Sequence, residues 1–187
     1  NGIISASKGG LLPQSGFHMR SDFAAEYLER AIEKSLERLK TDYIDLYQLH
    51  SPTLEDLQNT ELIETLERMK DKGKIREYGV SVRSPKDGMK IIEKYNFKVM
   101  QVNFNLIDQR ASEIGLFDLA KSKNIGIIIR TPLVFGFLTG KLTDNEVFSE
   151  NDHRKNWPRG QITQWGKATD LFSFLYNKRT PVQAALR

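Results

Sequence analysis

The chain has 187 residues, of which 39% are hydrophobic and 28% charged, which is typical of a globular domain with a substantial core. Without cysteine it has neither a disulfide framework nor a thiolate metal site, and no apolar run approaches the roughly 20 residues that cross a bilayer. The net charge of +4 is spread over helices that alternate basic and acidic residues, so we expect a cytoplasmic protein that binds neither nucleic acid nor membrane and holds no metal.

Short apolar runs alternate with amphipathic helical patterns along the chain. We predict five strands, at residues 3–7, 43–49, 75–82, 98–104 and 124–130. Apolar residues spaced three and four apart predict four helices, at residues 21–40, 60–73, 84–96 and 112–124. Thr60 and Ser84 are predicted helix caps, with Pro85 at the first helical position.

This alternation predicts a parallel sheet with crossover helices, either an open doubly wound sheet or a (β/α) barrel. No GxGxxG follows the first strand and no GxxxxGK[ST] occurs, which favours the barrel. A complete (β/α)8 TIM-type barrel has eight strands and about 250 residues. We therefore predict one incomplete barrel domain over residues 1–187, with about five barrel strands.

Polar side chains stand at the carboxyl ends of the predicted strands, where working groups of α/β folds lie. They are Lys8, His50, Ser81, Gln101, Asn103, Arg130 and Thr131. Alternation along a strand places Lys8 on one face with Ile4 and Ala6. It also places His50 on one face with Ile44, Leu46 and Gln48. Each of these polar residues alone is more often structural or exposed, so the prediction of a site depends on their joint pattern.

The segments that carry these residues resemble the aldo-keto reductase family of NADPH-dependent carbonyl reductases. The similar segments are ISASKGG, SLERLKTDYIDLYQLHSP, ETLERMKDKGKIREYGVS, VMQVNFNLIDQR and GIIIRTPLVFGFLTGKL, in this order. The resemblance implies a (β/α)8 barrel that binds an extended nicotinamide cofactor, NADP, without a glycine-rich fingerprint. It also implies reduction of a small aldehyde or ketone.

The resemblance implies roles for individual residues. Lys8 matches the lysine of the family's catalytic tetrad and His50 matches its histidine. Ser81 and Gln101 match positions that hold the nicotinamide carboxamide, and Arg130 stands where an aromatic residue often stacks on the nicotinamide. A further set lies in a segment that resembles the loop around the cofactor pyrophosphate: Thr131, Leu133, Gly136, Leu138 and Lys141.

The sequence departs from the family pattern at several positions. None of its six tyrosines stands in the motif of the proton-donating tyrosine, and no aspartate matches the tetrad's aspartate. Tyr43 and Tyr47 alternate away from His50, and we expect them to pack under helices. Val82 replaces the asparagine that usually follows the carboxamide serine.

Two functions remain open at this point. The first is an aldo-keto reductase that reduces an aldehyde or ketone with NAD(P)H, inactive alone if it lacks its proton donor. The second is a non-catalytic, reductase-like binding protein. In either case open sheet edges predict a homo-oligomer that covers them. A pocket for an apolar carbonyl compound is predicted from aromatic loop residues: Phe17, His18, Phe135, Phe137 and Trp157.

Overall fold

The computed structural model describes residues 2–12 and 20–187. Its strands are β1 (Ala6–Gly9), β2 (Ile44–His50), β3 (Ile75–Ser81), β4 (Val99–Asn103) and β5 (Gly126–Arg130). They form one sheet in chain order, with parallel pairing from β1 through β4. The five predicted strands are confirmed. β1 begins three residues later than predicted, so that Lys8 lies within the strand.

Eight helices follow or connect these strands in the described ranges. They are α1 (Ala25–Leu39), α2 (Thr60–Asp71), α3 (Pro85–Lys94), α4 (Arg110–Glu113), α5 (Leu116–Ser122), α6 (Arg159–Gly166), α7 (Ala168–Leu171) and α8 (Pro181–Ala185). Short 3₁₀ helices occur at Asp56–Gln58, Val134–Thr139, His153–Asn156 and Ser173–Leu175. The continuous helix predicted at 112–124 is wrong, because Gly115 adopts a φ of 76° between α4 and α5. That left-handed conformation ends a right-handed helix.

The predicted caps are confirmed in one case and wrong in another. Ser84 caps α3, its side chain accepting a hydrogen bond from the Asp87 backbone N–H, and Pro85 is the first helical residue. Thr60 is already inside α2, which Asn59 caps by accepting a hydrogen bond from the Glu61 backbone N–H. Asparagine is at least as good a cap as threonine, so the helix begins one residue earlier than expected.

The chain divides into two compact units. The first unit comprises Asn1–Val102 and Ala111–Ile128, and the second comprises Asn103–Arg110 and Ile129–Arg187. The single-domain organisation stays a prediction. The core of the second unit is a cluster of buried residues with aromatic neighbours: Val134, Phe137, Leu138, Ile162 and Ala168.

In the first unit, apolar residues of β2 and α1 form part of a buried core. Tyr47 and Leu49 of β2 are fully buried, as are Leu28 and Ile32 of α1. The burial predicted for Tyr47 is therefore confirmed. Tyr43 is different: it is 36% exposed and its ring lies 3.9 Å from the Arg76 guanidinium carbon. The expected burial of Tyr43 under a helix is therefore wrong, and its ring instead makes a cation–π contact with Arg76 at the surface.

Asp45 ties the start of β1 to β2. Its Oδ2 accepts hydrogen bonds from the Ser5 backbone N–H at 2.9 Å and from the Ser5 hydroxyl at 3.0 Å, and Oδ1 accepts one from Arg76. The bond from the Ser5 backbone N–H is the largest cause that holds the pKa of the Asp45 carboxyl below its usual value of 3.8.

We expect the hydrogen bonds of the Asp45 carboxylate to be lost at acidic pH. Because the folded-state pKa is lowered, the unfolded chain takes up the proton first, at about pH 3.8. The stabilisation is therefore complete above that pH and is lost as the pH falls through the lower, folded-state pKa. Carbon-detected NMR titration should give an Asp45 midpoint below 3.8, and Asp45→Asn should remove the acid-dependent exchange of the β1 amides. A midpoint at or above 3.8 would contradict this assignment.

Candidate functional site

The strand register brings four predicted site residues to one end and one face of the sheet. Lys8 lies opposite Gln48, His50 lies opposite Ser81, and Ser81 lies opposite Gln101. Residues opposite one another in register point to the same face, and so do residues two apart in one strand. Lys8, His50, Ser81 and Gln101 therefore share a face, at the carboxyl ends of four neighbouring strands.

Three of these residues are joined by hydrogen bonds to one oxygen atom. The Lys8 ammonium donates to Gln101 Oε1 at 2.9 Å. The Ser81 hydroxyl donates to the same oxygen at 3.3 Å. An amide oxygen has two lone pairs, so Lys8 and Ser81 together use its accepting capacity. The side chain of Gln101 is thus held between two strands and the lysine.

His50 ends β2 directly beside this cluster. It is half-buried, and the next residue, Ser51, has a φ of 63° that turns the chain away from the strand. The turn is held because the Ser51 backbone N–H donates to the Ser81 carbonyl at 2.9 Å and Arg83 Nε donates to the Ser51 carbonyl at 2.8 Å. The backbone that directly follows His50 is therefore held at the rim by Ser81 and Arg83.

Two residues considered in the sequence lie on the face opposite to Lys8 and His50. Tyr47 is fully buried and alternates with His50, so its hydroxyl faces away from the cluster. Val82 is 1% exposed, and its Cγ2 lies 3.6 Å from the position that a Cβ on Gly88 of α3 would take. Val82 therefore packs on α3 and contributes an apolar side chain to the core.

Gln48 is a residue of this face that the prediction did not count in the site. It is 3% exposed, and its Oε1 has no hydrogen-bond partner within residues 2–12 and 20–187. The signal in the sequence is weak but present, since a glutamine interrupts the apolar row Ile44, Leu46 that ends in His50. A polar residue in such a row is costly to bury without a partner.

The second unit contains the predicted pyrophosphate segment. Its backbone takes left-handed φ values at Thr131 (60°), Phe135 (53°), Gly136 (100°) and Gly140 (75°). Such values cost roughly 1 kcal/mol or more at non-glycine residues, and they occur mainly where a backbone is shaped for a ligand or a tight turn. Asn105, 6% exposed, supports the segment by donating to the Thr131 carbonyl at 3.2 Å.

The side chains of this segment differ in their exposure to solvent. Leu138 is 1% exposed in the core of the second unit, and its backbone N–H donates to the Leu133 carbonyl at 3.1 Å. Lys141 is exposed and Leu133 is half-buried. Glycine is favoured at position 136 by its φ of 100°, and a Cβ there would lie 3.3 Å from Leu142 Cδ1 and 3.4 Å from Arg154 Nη1. That guanidinium also donates to the Phe135 carbonyl at 2.8 Å.

Arg130 stands at the end of β5, before this segment. Partial burial is the main cause that lowers the pKa of its guanidinium, and the negative charge of Asp108 opposes that shift. Asp108 itself is held ionised chiefly by its hydrogen bonds with Arg110, which lower the pKa of its carboxyl. A partly desolvated guanidinium interacts strongly with an anion or a ring face.

The predicted aromatic pocket is partly formed within the second unit. The Phe135 ring, 44% exposed, lies 4.8 Å from Trp157 and stacks at 6.0 Å on Trp165. Phe137 is fully buried and belongs to the core instead. Phe135 and Trp165 also line a cleft of about 240 Å³ with Thr131 and Asn105. Phe17 and His18 lie outside the described residues.

The part of the chain that the structure describes contains no cluster of three metal-ligating side chains. In the same residues no helix combines the length and apolar character that a membrane crossing requires.

The sequence model of the aldo/keto reductase family matches residues 4–187. "Uncharacterized oxidoreductase YqkF" of Bacillus subtilis (strain 168) is 41% identical over 66% of this chain and 39% of its own length. "Aldo-keto reductase yakc [NADP(+)]" of Schizosaccharomyces pombe is 31% identical over 86% of this chain and 49% of its own. The chain thus spans half or less of the length of these curated relatives.

A solved structure of the same family has a similar fold. The holo form of aldo-keto reductase AKR11C1 from Bacillus halodurans aligns with a TM-score of 0.70 and 27% identity, over 98% of this chain and 57% of that one. The predicted fold class, part of a (β/α)8 barrel, is confirmed. The alternative of a non-catalytic binding protein receives no support from these similarities.

Proposed function

Because the chain belongs to the aldo/keto reductase family, we propose that it carries part of a site at which NADPH reduces a small aldehyde or ketone to an alcohol. The observation that supports this most directly is the placement of Lys8 and His50 on one face, at one end of neighbouring parallel strands. Lys8, Ser81 and Gln101 are linked there through one amide oxygen.

The residues present fit a nicotinamide cofactor in each unit taken separately. In the first unit, the amide of Gln101 and the hydroxyl of Ser81 offer donors and acceptors of the kind that a carboxamide requires. In the second unit, left-handed turns at Gly136 and Gly140 shape the segment, and the exposed Lys141 supplies positive charge that would attract a phosphate group. When bound, the cofactor supplies the hydride.

The catalytic roles follow from where charge develops during the reduction. A carbonyl oxygen gains negative charge as its carbon is attacked, so donors fixed beforehand at that oxygen lower the barrier. We assign the orienting hydrogen bond to the His50 imidazole and the favourable positive charge to the Lys8 ammonium. No residue of the sequence matches the family's proton-donating tyrosine, so we expect little turnover from the 187-residue chain alone.

Gln101→Leu should weaken NADPH binding at least tenfold, because it removes the polar contacts that the Gln101 side chain would make with the carboxamide of the cofactor. Fluorescence titration with NADPH and NADH would measure this and would show which cofactor is preferred. Gln164→Leu on α6, where the glutamine is exposed, is the matched control and should leave binding unchanged. Equal affinity of Gln101→Leu and the unsubstituted chain would remove Gln101 from the site.

The sheet edge at β1 leads us to propose a second copy of this chain as partner. Ile3 is 94% exposed and Ile4 is 80% exposed, beside a strand that pairs only with β2 among the described residues. Exposed apolar edges of this kind promote pairing with another chain. Size-exclusion chromatography with light scattering should therefore report a dimer at micromolar concentration, and Ile4→Lys should convert it to a monomer. A monodisperse monomer before substitution would exclude this interface.

A further inference from the structure

Helix α1 carries acidic and basic residues on different sides. On one side Glu29 and Glu33 form ion pairs with Arg68 of α2 at 2.6 Å and with Lys74 at 3.2 Å. The other side carries the basic row, three residues at intervals of four: Arg30, Lys34 and Arg38. Residues four apart lie above one another along a helix. Within residues 2–12 and 20–187 no member of the basic row forms an ion pair.

The basic row lines a cleft of about 630 Å³ between α1 and β1. Lys8 and Gly9 of β1 form part of the opposite wall. The described residues of the lining include no aspartate or glutamate, and Glu26 and Glu37, the other acidic residues of α1, lie outside it. A concave surface lined by charge of one sign concentrates the electrostatic potential, and a cleft of this size can hold a small molecule.

The cleft opens on the face of the sheet that α1 covers. Ser7 of β1 donates to Ser35 Oγ of α1 at 3.2 Å, and the buried Tyr47 hydroxyl lies directly beside Gly9. Ser7 and Tyr47 alternate along their strands with Lys8 and Gln48, so they face away from the cluster around Gln101. Lys8 borders both regions. The cleft is therefore distinct from the site proposed for carbonyl reduction, and it can be tested without reference to that proposal.

One end of the basic row is oriented by a buried hydroxyl. Arg38 Nη2 donates to Ser35 Oγ at 3.1 Å, and Ser35, 3% exposed, donates to the Ala31 carbonyl at 2.8 Å. An uncharged hydroxyl orients the guanidinium without neutralising it, so the charge is available to an anion. Like charges four residues apart also destabilise a helix, and an anion bound between them would relieve that repulsion.

We propose that this cleft binds a small molecule that carries two or more phosphate groups. Adjacent members of the basic row are about 6 Å apart along the helix axis, because each residue advances the helix by about 1.5 Å. A molecule with several phosphate groups contacts more of the row than a single phosphate does. Phosphate suits the two arginines in particular, since the planar guanidinium pairs with two phosphate oxygens through parallel hydrogen bonds.

Calorimetric titration with tripolyphosphate at constant ionic strength tests this. The 187-residue chain should bind tripolyphosphate at least tenfold more tightly than orthophosphate, and glutamine at all three positions of the basic row should weaken that binding at least tenfold. The matched control is α3, where exposed lysines have the same spacing: Lys86, Lys90 and Lys94. Their replacement by glutamine removes the same charge and should change the affinity less than twofold. Equal losses in the two triple variants, or binding that survives substitution of the basic row, would overturn the proposal.

A second variant leaves the basic row intact. Ala31 is half-buried in the lining of the cleft, beside Arg30 and three residues before Lys34. Ala31→Glu places a carboxylate among the cations and should weaken tripolyphosphate binding at least tenfold. Ala31→Gln has nearly the same size without the charge and should weaken it less than threefold. Tripolyphosphate should also raise the thermal midpoint of the unsubstituted chain but not of Ala31→Glu. Equal affinities of the two variants would show that the charge of the cleft does not hold the anion, and no saturable binding to the unsubstituted chain would exclude the site.

Discussion

Gly79→Ala is expected to lower the free energy of unfolding by about 3 kcal/mol, the upper part of the range for overpacked interiors. A Cβ at this position would lie 2.5 Å from the backbone oxygen of Val99 and 3.1 Å from its Cβ. Backbone of a paired strand cannot move aside as a flexible side chain can. The strands β3 and β4 would have to separate, and Ser81 would lose its hydrogen bond to Gln101.

Urea denaturation followed by circular dichroism measures this effect. Gly160→Ala is the matched control, because a Cβ there would meet nothing within 4 Å and the residue lies in α6. Alanine in a helix should stabilise by roughly 0.5 kcal/mol relative to glycine. A Gly79→Ala variant with the midpoint of the unsubstituted chain would show that β3 and β4 tolerate wider spacing, and it would contradict the close approach of their backbones.

Phe137→Ala should destabilise the second unit by about 3–5 kcal/mol, the usual cost of deleting a fully buried aromatic side chain. The Phe137 ring is 0% exposed and contacts Trp165 at 5.7 Å and Phe148 at 6.2 Å. Its neighbours in the chain are Gly136 and Leu138, both in the predicted pyrophosphate segment. The cavity that the substitution creates should therefore also allow the backbone of that segment to leave its left-handed conformations.

Tryptophan fluorescence reports this change selectively. Both tryptophans of the sequence, Trp157 and Trp165, pack in the cluster around Phe137 and Phe135. Their denaturation midpoint should fall in Phe137→Ala. Phe174→Ala, where the ring is 69% exposed, should change the free energy of unfolding by no more than about 0.5 kcal/mol and leave the midpoint nearly unchanged. Equal midpoints for the two variants would mean that the aromatic cluster does not hold the second unit together.

The strand pattern and the face occupied by His50 could be predicted because both depend on short-range alternation. An apolar row that ends in a polar residue is visible in the sequence of β2 itself, whatever the rest of the chain does. The same reasoning placed Tyr47 on the opposite face, where it is fully buried. The break at Gly115 was missed because a glycine within an amphipathic pattern is compatible with a helix or with its end.

The side-chain contacts between different strands could not be predicted in the same way. The bond between Lys8 and Gln101 joins residues 93 positions apart, and it depends on the register of three strand pairs. Among the described residues Gln48 Oε1 has no hydrogen-bond partner, although Lys8 lies opposite it in register, because Lys8 donates to Gln101. The left-handed backbone at Phe135 has no sequence signal either, since a phenylalanine rarely adopts it.

Gly79 has a consequence for chemistry as well as for folding. To reach β4, the four-carbon stem of Lys8 extends from β1 along a row in which β3 contributes no side chain. A Cβ on Gly79 would collide with the Val99 carbonyl, so the glycine keeps β3 and β4 close enough for the Ser81 hydroxyl to reach Gln101 Oε1. The arrangement of the polar groups at the strand ends thus depends on the absence of a single methyl group two residues before Ser81.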